Sequence, residues 1–149
     1  MTEAADGVLQ CAGVFEVIIP ADWRAEGTPG ETYVIEPKDG RDIEVNLSVY
    51  RPEPQARMPA EALVRDFAQQ LGVPDVDALA VKVVVERRQE RAFATTFAAG
   101  RMWFIAQLWF GKALVLATAN VPPGEPSLFR EAENLVASIA PHSRRRFRR

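Results

Sequence analysis

AFATTFAAGRMWFIAQLWFGKALVLATANV, residues 92–121, decides the fold. Aromatic and β-branched residues crowd it, and it breaks at Ala99-Gly100 and again at Gly111-Lys112. Both breaks suit two-residue hairpin turns, and Gly in first place at 111 fits a type II′ turn. Strands over 92–98, 102–110 and 113–121 follow, closed by Pro122-Pro123-Gly124. A membrane-spanning helix over 102–121 is the rival, since Lys112 is the one charge there and the length suffices. That lysine falls at the centre, where insertion costs about 2.5–3.5 kcal/mol. The stretch reads as a meander.

Its two faces differ. Cross-strand pairing gathers Phe93, Phe97, Phe104, Leu108 and Val115 on one side, an unmixed core face. The other side carries Trp103, Ile105, Trp109, Leu114 and Leu116, with Thr96, Gln107 and Thr118 among them. A sheet apolar on both faces needs cover on both. With one helix per face, Trp103 and Trp109 are core. With both helices on one face, Trp103, Ile105 and Trp109 form a bare patch, and such patches mark interaction surfaces.

Upstream, residues 80–88 alternate Val81, Val83 and Val85 against Lys82, Val84 and Glu86, and the charged run 86–91 reads as a hairpin tip. Residues 14–20 form a first strand ending at Pro20, followed by Trp23 and a Gly/Pro loop over 27–30. Residues 32–36 and 42–50 make a hairpin. A three-residue loop, Lys38-Asp39-Gly40, pairs Ile35 with Ile43 and Tyr33 with Val45, keeping apolar opposite apolar. Pro59 suits the first turn of a helix carrying Leu63, Val64, Phe67 and Leu71, with Gly72 as its stop. A second helix begins near Pro126, with Leu128, Ala132, Leu135, Val136 and Ile139 as its stripe and Pro141 as its stop.

The whole is a single α+β domain over 1–142, followed by an Arg-rich tail over 143–149 expected to be disordered. A chain of 149 residues buries enough surface to need neither disulfide nor metal. The net charge of −2 conceals an asymmetry, because Arg144, Arg145, Arg146, Arg148 and Arg149 supply five of the 18 basic residues. Without them, 13 basic residues face 20 acidic ones. An acidic body is not the electrostatic footprint of a specific nucleic-acid binder. The tail could attach to nucleic acid or an anionic membrane, with salt-sensitive contacts, or be a solvated end with no role. Residues 1–7 lack the pattern of a secretory signal, and Cys11 lacks that of a lipoprotein box, so a cytoplasm, bacterial or other, is expected.

Chemistry is sparse. His142 is the one histidine and Cys11 the one cysteine, which removes His-based triads, multi-His metal sites and an internal disulfide. Asp42 with Glu44, and Asp75 with Asp77, are the candidate carboxylate pairs for a cation or for acid/base work. Their apolar neighbours make solvated surface the simpler account. No cofactor is implied, and no catalytic residue is assigned.

The order strand, early Trp, hairpin, helix, meander, closing helix, together with Phe15-x-Val17-x-Ile19-Pro20-x-x-Trp23 and Leu114-Val115-Leu116-Ala117-Thr118, resembles the Mog1/PsbP-like superfamily. The resemblance implies an antiparallel sheet of about six to seven strands flanked by two helices, an α/β/α sandwich without catalysis. That superfamily includes a Ran-binding nuclear transport factor, a photosystem II subunit, DcrB-like proteins and Eag-type secretion chaperones that cradle apolar client helices. An adaptor or chaperone-like domain, binding a protein partner or a second copy through Trp103, Ile105 and Trp109, is the resulting expectation.

Overall fold

The alternating strands and two amphipathic stripes assemble around one long sheet. The computed structural model describes residues 7–11, 14–28, 32–86 and 89–141. In chain order the elements are β1 (Gly7–Cys11), β2 (Phe15–Ile19), β3 (Trp23–Thr28), β4 (Thr32–Pro37), β5 (Glu44–Tyr50), α1 (Ala60–Gln70), β6 (Lys82–Glu86), β7 (Gln89–Ala98), β8 (Arg101–Phe110), β9 (Ala113–Val121), α2 (Pro126–Ala137) and β10 (Ala140–Pro141). Seven strands form an antiparallel sheet in the order β3-β4-β5-β9-β8-β7-β6, and β1-β2-β10 form a small second sheet. Helix α1 lies on one face. Helix α2 and the small sheet cover the other, where Leu128, Ala132, Leu135, Val136 and Ile139 pack with Phe15, Val17, Leu108 and Val115.

The meander and α2 follow the periodicity of the sequence. Strand β9 spans the expected residues, and all five stripe residues from Leu128 to Ile139 are buried. Gly111 takes φ +64 while Lys112 does not share a positive φ, the type II′ pattern. At the other turn both Ala99 (φ 53) and Gly100 (φ 78) are left-handed, the type I′ pattern.

The β4–β5 hairpin differs from expectation by two residues: Ile35 pairs with Val45, and Tyr33 with Leu47. An even shift keeps every side chain on its face, so hydrophobic pattern alone cannot resist it. Arg41 sets the longer loop. Its guanidinium reaches Asp39 Oδ1 at 3.0 Å, Asp22 Oδ2 at 3.1 Å and Glu131 Oε2 at 2.7 Å, tying the loop to the β2–β3 turn and to α2.

Three strands escape the sequence patterns: β1, β3 and β10. In β3, Trp23 is buried while Arg24 and Glu26 face water. Gly27, read as loop, is strand, and a Cβ there would strike the Thr32 carbonyl and the Tyr33 backbone. The charged tip over 86–91 also shrinks, since Glu86 pairs directly with Gln89. Val83 and Val85, on one face of the alternating stretch, are 42% and 68% exposed because β6 is the edge strand of the sheet. Phe97, expected in the core face, is 56% exposed near the end of β7.

Candidate functional site

Helix α1 determines which part of the Trp-bearing face stays open. Three contacts fix its position. The Ala60 N–H donates to Glu90 Oε2 at 2.7 Å, placing a carboxylate of β7 at the helix N-terminus, where the helix dipole favours negative charge. Trp109 Nε1 donates to the Met58 carbonyl at 2.9 Å, and Arg65 Nη1 donates to the Leu79 carbonyl at 2.8 Å. The helix therefore rests over β7 and β8. Ala60, Val64 and Ala68 are its fully buried line, with Leu63, Phe67 and Leu71 flanking it rather than leading it.

The expected bare tryptophan patch is closed by this arrangement. Ile105 and Trp109 are 0% and 1% exposed, so neither offers surface. Trp103 is half-buried, edge-on to Phe67 at 6.3 Å between ring centroids, with its Nε1 donating to the Ala98 carbonyl at 3.0 Å. These residues belong to a core between helix and sheet. The Arg57 guanidinium lies 3.9 Å from the Trp109 ring centroid and caps that core.

Beside α1 the same face borders a groove. Across β8, β9 and β5, Trp109 lies opposite Leu114 and Leu114 opposite Tyr50; Gln107 lies opposite Leu116 and Leu116 opposite Ser48. A groove of about 370 Å³ follows this line, with Leu63, Phe67 and Gln70 of α1 as one wall. Gln107, Leu114 and Leu116 form its floor, and Pro52 and Met58 also line it. Tyr50, 48% exposed, stands on the far side.

Gln107 is the distinctive group. It is only 5% exposed, and its Oε1 is fully buried without a hydrogen-bond partner. An unmet buried acceptor costs about 1–3 kcal/mol; Trp23 Nε1 and Arg91 Nε are likewise buried without a hydrogen-bond partner, but neither lines the groove. On the far side of the connector over 51–59, Arg57, Lys112, Trp109 and Phe110 line a second hollow of about 540 Å³, sharing Trp109 and Pro52 with the groove.

The carboxylate candidates do not converge. Arg101 holds Asp42 in a two-pronged pair, Nη2 to Oδ1 at 2.9 Å and Nη1 to Oδ2 at 3.0 Å, and that hydrogen bonding keeps the carboxyl below its usual range. Glu44 accepts instead from Asn46 Nδ2 at 3.1 Å. Asp75 and Asp77 are exposed around the short turn Val76–Ala78. Among the described residues, no group of three or more His, Cys, Asp or Glu side chains could hold a metal ion. Burial pushes the Cys11 thiol up to about 12, leaving it neutral and inert. Among the described residues, no helix is long and apolar enough to cross a membrane. His142 and the five tail arginines, Arg144, Arg145, Arg146, Arg148 and Arg149, lie outside the described residues.

No protein-family model matches the chain, and no curated protein matches its sequence. Solved structures do. The cyanobacterial PsbP (CyanoP) of a Synechocystis superposes with a TM-score of 0.70 at 10% identity, covering 95% of both chains. A Bacteroides thetaiotaomicron protein gives 0.56 at 13% identity, with 96% of this chain matching 50% of that one. LpqN of Mycobacterium tuberculosis, involved in cell envelope biogenesis, gives 0.43 at 15% identity, covering 94% of this chain and 93% of that one. The agreement with PsbP over nearly the whole length of both chains establishes a Mog1/PsbP-like fold, an α+β domain built on an antiparallel sheet.

Proposed function

We propose that this is a non-enzymatic protein-binding domain whose groove beside α1 takes an apolar segment of a partner protein. One observation carries this reading: an amide oxygen buried without a partner on the floor of a mostly apolar groove, with Asp66, Gln70 and Tyr50 as the other polar groups along it. Binding sites pair mostly apolar walls with a few placed polar groups that fix orientation. A turn of the Gln107 side chain toward the groove would let a partner backbone or side-chain N–H satisfy Oε1, while Leu63, Phe67, Leu114 and Leu116 take apolar side chains. The adaptor role inferred from the tryptophans thus moves to the groove beside them, where Leu116 is half-buried and Tyr50 exposed. A cytoplasmic setting belongs to the same proposal, supported by a lone unpaired thiol.

The test is a quantitative pull-down from the native host with tagged wild type, Gln107→Met and Leu116→Arg in parallel. A stoichiometric protein held by wild type and lost by both variants supports the groove, provided both remain folded by circular dichroism. Recovery of the wild-type chain alone, or equal capture by all three, overturns it.

A further inference from the structure

Strand β6 ends the seven-strand sheet, and among the described residues no strand pairs with its outer edge. Natural proteins protect such edges with short strands, charged side chains, bulges, prolines or a cover, and here the charges stand only at the two ends, leaving three valines between them. This edge is Lys82-Val83-Val84-Val85-Glu86, with Val83 and Val85 42% and 68% exposed. We propose that β6 pairs antiparallel with β6 of a second copy about Val84, making a two-fold homodimer with one continuous sheet.

The register follows from the strand itself. Glu86 pairs with Gln89 across a two-residue connection. The closing pair of such a hairpin exchanges both its bonds, and the pattern alternates from there. Lys82, Val84 and Glu86 therefore direct their N–H and C=O groups toward β7, and Val83 and Val85 direct theirs outward. A partner strand must bond to those two residues. Placing Val83 opposite its own copy sets Lys82 against Val84. Placing Val85 opposite its own copy sets Glu86 against Val84. Placing Val83 opposite Val85 of the second copy sets Lys82 against Glu86 twice, once at each end. Opposite charges directly across an antiparallel pair attract, so this register alone joins both charged pairs.

The side chains agree with that choice. Val83 and Val85 lie in register with Ala92 and Glu90, which lie opposite Gln107 and Trp109 on the α1 side of the sheet. The two-fold brings four valines together on that side and the two Val84 residues together on the other. Glu86 offers Oε1 to Arg91 of its own chain at 3.2 Å, leaving Oε2 for the lysine across the axis. The contact is isologous, so it closes at two copies. It is separate from the groove, and its failure would leave the groove reading untouched.

Analytical ultracentrifugation of the full chain, from low micromolar to submillimolar concentration, is expected to show a reversible monomer–dimer equilibrium. Val85→Pro removes an outward N–H while sparing the β6–β7 ladder, a tolerated place for proline, and shifts the chain to monomer. Lys82→Glu sets like charges across the axis and weakens dimerisation about tenfold, and Lys82→Glu with Glu86→Lys together restores it. Should Val85→Pro fail to fold, the charge exchange decides. A chain monomeric at every concentration, or a dimer without charge-exchange rescue, overturns the proposal.

Discussion

Replacing Gln107 by Met separates a binding group from a structural one. Met has nearly the same length and volume and fills irregular gaps, so packing under α1 is kept. What changes is the amide oxygen, which in the native chain is buried without a partner and in the unfolded chain is hydrated. Removing that mismatch returns part of a desolvation penalty of about 1–3 kcal/mol. Among the described residues the amide makes no other hydrogen bond to offset this, and the part returned is a stabilisation of about 1–2 kcal/mol. With a urea m-value of about 2 kcal/mol/M, the midpoint rises by roughly 0.5–1 M with m unchanged. In a thermal melt the same gain is roughly 2–8 °C for a domain of this size. Urea titration followed by far-ultraviolet circular dichroism reads it directly. A variant that is more stable and no longer binds is the signature of a residue kept for function at the expense of the fold. A midpoint lowered by more than about 0.5 M would refute the reasoning, because it would show the oxygen to be satisfied in the folded protein.

Trp109→Ser is expected to cost about 3–5 kcal/mol, since it opens a cavity under α1 and removes the bond to Met58 and the ring beneath Arg57; a loss below about 1.5 kcal/mol in urea would show that the site collapses freely or is not core. Ala99→Gly relieves a left-handed alanine at the β7–β8 turn and is expected to raise stability by about 0.5–1 kcal/mol, less than the full strain because Gly also loosens the unfolded chain. Cys11 is expected to resist aryl disulfide reagents at pH 8 in the native state and to react fully in urea. Its folded pKa of about 12 lies above the ordinary value of 9.0, so the folded state holds its proton longer, and this contribution to stability is complete below about pH 9 and declines as pH rises toward 12.

Some of this architecture was plain in the residues. The meander was legible because period-two alternation and two Gly-containing turns act within a few residues of each other. The α2 stripe was legible because its five apolar residues keep one helical face. Strand β3 was not, since Arg24 and Glu26 dilute its pattern and its strand character comes from pairing with β4. The β4–β5 register was not, because Arg41 selects it through Asp22 and Glu131, far away in sequence. The groove was half legible. Gln107 stood out as the amide on the Trp-bearing face, but which half of that face α1 would leave open depended on contacts of Glu90 and Met58 that no local pattern shows.

The small sheet imposes an order in time. Strand β2 is sandwiched between β1, made just before it, and β10, where Pro141 pairs with Phe15. At ordinary synthesis rates those two residues leave the ribosome roughly 6–25 s apart. Until then Phe15 and Val17 have neither α2 over them nor a second neighbour for their strand, even if the long sheet has already closed. The nascent chain thus carries an unfinished apolar layer for seconds, until α2 and β10 complete what β1 and β2 began.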